Sequence, residues 1–209
     1  IGIAGTLNAD TTWEYDLPYV VDGSLTLDLN TTLTIQPGVA VKFTAGGRFT
    51  VNGRLLAQGD ADHRIVFTSL KDDSVVGDTN GDGIASAPSA GDWESIRFAS
   101  TAGQSALDYM TVRYGGSNSS TGALFLDGSA PTLGHLIVMG SKYRGLYVQN
   151  ASPLVENAVF AENDYGVYNG TTAYLVIRQS NIYSNTQYGL HNANTGYNLN
   201  AADNWWGSP

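Results

Sequence analysis

Short runs in which apolar and polar residues alternate strictly recur along the chain. Leu25/Leu27, Val39/Val41/Phe43 and Ile65/Phe67 each keep a period of two, which turns one side of a β-strand inward and the other outward. The runs also repeat as sets. Leu25-Thr26-Leu27, Leu33-Thr34-Ile35 and Val39-Ala40-Val41-Lys42-Phe43 are echoed by Phe49-Thr50-Val51, Leu55-Leu56-Ala57 and Ile65-Val66-Phe67. The second half repeats more tightly. Gly122, Gly145, Gly166 and Gly189, spaced by 23, 21 and 23 residues, each open a similar segment, such as Gly145-Leu146-Tyr147-Val148. A second matched segment precedes each glycine (Leu136-Ile137-Val138, Ala158-Val159-Phe160, Ser180-Asn181-Ile182, then Asp203-Asn204-Trp205), and a third precedes that (Thr132-Leu133, Leu154-Val155, Leu175-Val176-Ile177).

A unit of about 22 residues with three short strands cannot bury a core alone. Stacked at about 4.8 Å per rung, such units form three parallel sheets around a continuous apolar interior. The pattern therefore predicts an all-β chain, a β-solenoid. A leucine-rich repeat would need a helical segment that Asn163-Asp164-Tyr165-Gly166 does not supply, and a propeller would need a longer period. Aligned on the glycines, Ala123, Leu146, Val167 and Leu190 point inward, Leu124, Tyr147, Tyr168 and His191 outward, and Phe125, Val148, Asn169 and Asn192 inward again. Asn169 and Asn192 are then expected to form a hydrogen-bonded ladder. Residues 1–209 read as one domain, with an N-terminal cap over 1–24 and an inserted acidic loop over 71–92.

Composition narrows the partners. The 209 residues carry a formal net charge of −9, which disfavours nucleic acid and anionic membrane surfaces. With no cysteine, disulfides and thiolate chemistry are excluded, and an exported protein held by hydrogen bonds and ions is compatible. No apolar run approaches the roughly 20 residues of a membrane span. The start at Ile1 and the end at Trp205-Trp206-Gly207-Ser208-Pro209 suggest a module of a larger protein, with neighbouring domains as partners.

The segments Gly5-Thr6-Leu7, Thr11-Thr12-Trp13, Pro18-Tyr19-Val20-Val21 and Leu33-Thr34-Ile35-Gln36-Pro37-Gly38-Val39-Ala40-Val41-Lys42-Phe43, with the closing Asp203-Asn204-Trp205-Trp206-Gly207, resemble bacterial right-handed parallel β-helix repeat proteins. The resemblance spans nearly the whole chain. It implies a right-handed parallel β-helix, export to a secreted or cell-surface location, and a connection with polysaccharides. It implies no reaction, because the family holds lyases, hydrolases and epimerases beside adhesin-like modules without activity.

Asp78-Thr79-Asn80-Gly81-Asp82-Gly83 fits the opening of a calcium loop: oxygen ligands at alternate positions and a glycine at the sharp turn. Ile84 would offer its carbonyl, and Asp73, Asp92 or Asp72 would complete the shell. Ser89 stands where an EF-hand has its bidentate Glu, so the loop is not an EF-hand. Ligands confined to one insertion favour a structural Ca²⁺ over a catalytic one.

Lyase chemistry needs an Arg or Lys base beside a uronate, and hydrolysis needs paired carboxylates. Arg97 and Arg113 are expected in neighbouring rungs, where they would form a small patch with Lys42. Glu156, Glu162, Asp164 and Asp203 fall in the later rungs, and His63, His135 and His191 are unlike one another in context. The aromatics are more suggestive. Tyr147, Tyr168 and His191 share one outward position, Tyr165 and Tyr188 another, and Tyr183 and Trp206 a third. Flat rings one rung apart would make a platform for sugar faces. Rows of Thr26, Thr34 and Thr50 would suit ice binding, but they do not persist. The leading expectation is a noncatalytic surface, adhesion or carbohydrate-binding module contacting a polysaccharide. The alternative is a polysaccharide lyase, epimerase or glycoside hydrolase.

Overall fold

The computed structural model describes residues 1–207, so Ser208 and Pro209 lie outside the described residues. Every regular element among the described residues is a strand. In chain order these are β1 (Gly2–Leu7), β2 (Thr11–Trp13), β3 (Tyr19–Leu27), β4 (Thr32–Ile35), β5 (Ala40–Phe43), β6 (Arg48–Val51), β7 (Arg54–Gln58) and β8 (Ile65–Ser69). After the insertion come β9 (Ser95–Phe98), β10 (Ala106–Asp108), β11 (Met110–Arg113), β12 (Leu124–Asp127), β13 (Thr132–Gly134), β14 (Ile137–Met139), β15 (Arg144–Gln149) and β16 (Leu154–Glu156). The last are β17 (Val159–Ala161), β18 (Tyr165–Asn169), β19 (Val176–Arg178), β20 (Asn181–Tyr183) and β21 (Tyr188–Asn192).

All ladders are parallel, and each strand pairs with the strand one turn away rather than with its chain neighbour. The result is a parallel β-solenoid with three faces. Face one stacks β1, the end of β3, β6, β9, β12, β15, β18 and β21; face two stacks β2, β4, β7, β10, β13, β16 and β19. Face three stacks the start of β3, β5, β8, β11, β14, β17 and β20. Because β3 bends across a corner and serves two faces, faces one and three form one continuous sheet. Residues 1–24 contribute β1, β2 and the start of β3 to this stack.

Inward positions make columns. Leu25, Phe49, Ile96, Leu124, Leu146 and Val167 lie in register on face one, all fully or almost fully buried. Each such side chain contributes about 1.5–3 kcal/mol by leaving water. The rungs are too short to protect these residues singly, so the stack is what buries them. Trp93, completely buried, stacks on Phe43 at 4.2 Å between ring centres and closes the core beneath the insertion.

The corners obey a rule invisible in the hydrophobic pattern. Tyr109, His135, Asn157 and Gln179 each follow a face-two strand and all have φ between 45° and 54°. A single left-handed residue turns the chain from face two into face three, at a cost of roughly 1–2 kcal/mol for a residue with a Cβ. Tyr109 and His135 offset that cost by stacking at 4.2 Å and 6°.

Buried asparagines satisfy other corners. Asn169 Nδ2 donates to Asn192 Oδ1 at 2.8 Å, as expected for the ladder. A second ladder joins Asn163 Nδ2 to Asn185 Oδ1 at 3.1 Å.

The structure corrects the register at both ends of the glycine alignment. Leu124 pairs with Leu146 and Phe125 with Tyr147, so Leu124 points inward and Phe125 outward, the reverse of the expectation. The cause is that Gly122 is not the equivalent of Gly145. A Cβ on Gly145 would lie 2.7 Å from the Gly166 carbonyl oxygen, and one on Gly166 would lie 2.5 Å from the Gly189 carbonyl oxygen; Gly122 lies instead in line with Arg144, whose carbonyl oxygen a Cβ would approach to 2.8 Å, and unlike Gly145 it has a positive φ, +90°. At the last rung Trp205, not Trp206, packs on Tyr183, with ring centres 5.2 Å apart. Asn181 bridges Trp205, which puts Asn204 rather than Asp203 in register with Ser180.

Candidate functional site

The insertion over 71–92 leaves the chain between β8 and β9 and folds back on face three. One outward column there is Lys42, Thr68 and Arg113, on the successive strands β5, β8 and β11. All three meet the insertion. Lys42 Nζ donates to the Gly77 carbonyl at 2.9 Å, Thr68 Oγ1 to Asp72 at 2.5 Å, and Arg113 Nε to Asp72 at 2.7 Å. Ser74 Oγ supplies Asp72 with a further hydrogen bond at 2.6 Å. Burial opposes ionisation of Asp72, but the Ser74 and Thr68 hydroxyls and the Arg113 charge outweigh it and hold the carboxyl below its ordinary value. Lys42 is completely buried, and loss of hydration pulls its pKa below the usual lysine value despite Asp72, Asp73 and Asp78 nearby.

Above this ion pair sits the expected metal loop. Asp73, Asp78 and Asp82 each offer a carboxylate oxygen, and the three lie within 4.8 Å of one another. Both Asp78 oxygens accept backbone N–H groups, Oδ2 from Gly83 and Oδ1 from Gly81 and Asp82, which fixes the turn. The Gly83 hydrogen bond leads in keeping the Asp78 carboxyl below its ordinary value. Asn80 Nδ2 donates to Asp82, and among the described residues Asn80 Oδ1 is buried with no hydrogen-bond donor; Asp73 Oδ1 is orphaned in the same way. Such buried acceptors cost about 1–3 kcal/mol each unless something positive meets them. The donor set is all oxygen, which suits a hard cation such as Ca²⁺.

Asp72 and Asp92 are engaged elsewhere. Asp92 pairs with Lys71 at 2.9 Å and accepts from Ser69 at 2.7 Å. Ile84 exposes its side chain almost fully, leaving only its carbonyl as a ligand. A cavity of about 260 Å³ between Phe43, Ser69 and the loop brings Asn80, Asp82 and Asp92 to one opening.

The basic patch expected of Arg97, Arg113 and Lys42 does not form. Arg113 and Lys42 share face three under the insertion, while Arg97 is on face one and pairs with Asp127. Two residues of one turn sit on different faces when a corner separates them, and the spacing of arginines carries no signal of that corner. Glu162 and Asp203 are exposed corner residues with φ of 58°, and Asp164 accepts from Thr186 at 2.8 Å. His63 pairs with Asp60 in an exposed turn.

A different acidic group comes together on face two. Asp108, Gly134 and Glu156 are in register on β10, β13 and β16. A Cβ on Gly134 would touch Asp108 Oδ1 at 2.9 Å, so the glycine opens the space between the two carboxylates. Asp108 bonds His135 Nδ1 at 2.9 Å, and Glu156 bonds Arg178 at 2.6 Å. They line a groove of about 250 Å³. Sequence reasoning named Glu156 and His135 but missed Asp108, although its place at the end of a face-two segment would have found it.

The outward column of face one runs Thr6, Thr26, Thr50, Arg97, Phe125, Tyr147, Tyr168 and His191. Thr34, expected in the threonine row, lies on face two, and the row of Thr6, Thr26 and Thr50 ends after three rungs, too few for a lattice-matching face. The aromatic part is continuous. Phe125 stacks flat on Tyr147 (4.8 Å, 6°), Tyr147 meets Tyr168 edge-on (5.4 Å, 87°), and Tyr168 stacks on His191 (4.7 Å, 24°). Beside it Tyr165 stacks on Tyr188 at 5.5 Å. The rings turn their faces largely on each other, so the strip offers edges and hydroxyls along its length. Phe125 is 8% exposed and Tyr188 51%, so the strip opens toward β21. Burial raises the Tyr147 phenol above its ordinary value.

No family model matches the sequence, and neither a curated protein nor a solved structure matches it.

Proposed function

We propose that the chain is a noncatalytic, extracellular carbohydrate-binding or adhesion module, a β-helix that holds an extended glycan along face one. The observation that carries this reading is the aromatic strip from Phe125 to His191, flanked by Tyr165 and Tyr188, which spans four successive strands without interruption. Tyrosine suits such contacts because one end is apolar and the other hydrogen-bonds. A Ca²⁺ ion on Asp73, Asp78 and Asp82, with the Asn80 side-chain oxygen, pins the insertion and plays no chemical part; the two orphaned oxygens support it. Export and a bacterial, polysaccharide-linked origin rest on the resemblance of the opening and closing segments and agree with the absence of cysteine.

Affinity electrophoresis against a panel of polysaccharides, with parallel assays for reducing ends and unsaturated products, tests the proposal. The expected result is retention without products, weakened by Tyr168→Ala. Retention of no glycan refutes it.

A second reading, glycoside hydrolysis, is favoured by the face-two groove. Asp108 and Glu156 are two rungs apart, about 9.6 Å between backbones, close to the carboxylate spacing of inverting enzymes. Release of reducing ends that Asp108→Asn abolishes would establish it.

A further inference from the structure

The cations of this acidic chain are almost all committed. Arg48, Lys71, Arg97, Arg113 and Arg178 each have a carboxylate within 4.0 Å. Arg54 donates to the Gln104 carbonyl, Arg64 to those of Met110 and His135, and Lys42 to that of Gly77. Arg144 differs. It opens β15 within the face-one strip, and its guanidinium carbon lies 3.9 Å from the centre of the Tyr168 ring and 4.5 Å from that of Tyr147. Among the described residues no carboxylate lies within 4.0 Å of it, and no protein acceptor takes a hydrogen bond from it.

The two rings stand at 87° to each other, so the guanidinium lies in the corner they form, and its N–H groups on the side away from that corner are left without a partner. The rings also reduce the side chain's freedom and keep water from its flanks, so a hydrogen bond along the edge is formed by a group already in position. One neighbour in the same column is Gly122, whose missing side chain leaves that flank open: a Cβ there would lie 2.9 Å from the Arg144 Cβ. With a net charge of −9 the molecule as a whole repels anions, so an anion bound here is bound by local geometry rather than by the overall field.

We infer that Arg144, set in the corner between the Tyr147 and Tyr168 rings, is an oxyanion-binding subsite of the face-one strip, and that the glycan held there is acidic, bearing carboxylate or sulfate groups. This rests on the proposed glycan-binding function and names its ligand class. Two oxygens of either group match the guanidinium fork.

The test is titration calorimetry of the intact chain with three oligosaccharides: a uronic acid oligomer, a sulfated oligomer and a neutral β-linked glucan. Wild type, Arg144→Gln and Arg144→Lys are compared, and circular dichroism verifies the fold of each. The expected result is binding of an acidic oligomer that weakens by about tenfold or more in Arg144→Gln, the loss of a charged hydrogen-bonded pair. Arg144→Lys keeps the charge without the fork, falls between the two, and serves alone if Arg144→Gln does not fold. The uronic acid and sulfated arms identify which oxyanion is recognised. Equal affinity of wild type and either folded variant for the acidic oligomers overturns the inference. Binding of the neutral glucan alone overturns it while leaving the glycan-binding function standing; binding of none of the three removes both.

Discussion

Replacing Asp72 by Asn isolates the contact that joins the insertion to the solenoid. The substitution keeps the side-chain shape but removes the charge that Arg113 faces, at a position where Asp72 is almost fully buried and Arg113 is 21% exposed. Breaking a buried ion pair by neutralising one partner costs about 3–5 kcal/mol. The partial exposure of Arg113 and the hydrogen bonds that an amide retains with Thr68 and Ser74 bring this to about 2–3 kcal/mol. For a chain of this size each kcal/mol moves Tm by about 2–4 °C, so the expected fall is about 4–12 °C by circular dichroism. Where the insertion undocks before the solenoid melts, the same loss appears as faster proteolysis within residues 71–92. The pH dependence adds a second signature. The Asp72 carboxyl titrates below its unfolded value in the folded chain. Its contribution is therefore complete above about pH 4 and is lost as pH falls through the folded-state value. The wild type and Asp72→Asn melting curves should converge in acid. A Tm within about 1 °C of wild type at neutral pH with the insertion still protected would refute the reasoning, as would a difference that persists unchanged at low pH.

Free Ca²⁺ at about a hundred times its Kd is expected to stabilise the chain by about 2.7 kcal/mol, and chelator-controlled thermal scans will show the gain disappear in Asp73→Ala. Asn169→Ala removes the acceptor of the Leu175 N–H and the donor to Asn192 and the Ala173 carbonyl. Each buried group left without a partner costs about 1–3 kcal/mol; urea unfolding should show the midpoint fall with an unchanged slope.

The sequence made the solenoid legible because its signal is local and repeated: alternation within a strand and recurrence between rungs. Leu25 over Phe49, Leu33 over Leu55 and Val41 over Phe67 all follow from pattern alone. The register of Phe125 did not, because Gly122, which has a left-handed backbone in line with Arg144, and Gly145, which does not, look identical as letters. The grouping of Asp78 and Asp82 was readable since both belong to one short motif, whereas the Asp72 pair joins residues 41 apart in sequence. Arg144, between Tyr143 and Gly145, reads in the sequence as one more isolated surface arginine. Its meaning lies in what it lacks, an acidic partner, and that is a property of space rather than of spacing.

The grip of the insertion on Lys42, Thr68 and Arg113 has a mechanical consequence. In a solenoid each rung is held only by the rungs above and below, so a load applied along the axis peels the stack one turn at a time from an end. The insertion touches three consecutive turns at once. Those turns must yield together or not at all, and a pulling experiment would register them as a single large rupture among smaller steps. Set between β8 and β9, this block works as a ratchet stop: tension that frays either end of the rod halts there, and the relaxed rungs have an intact template on which to wind back.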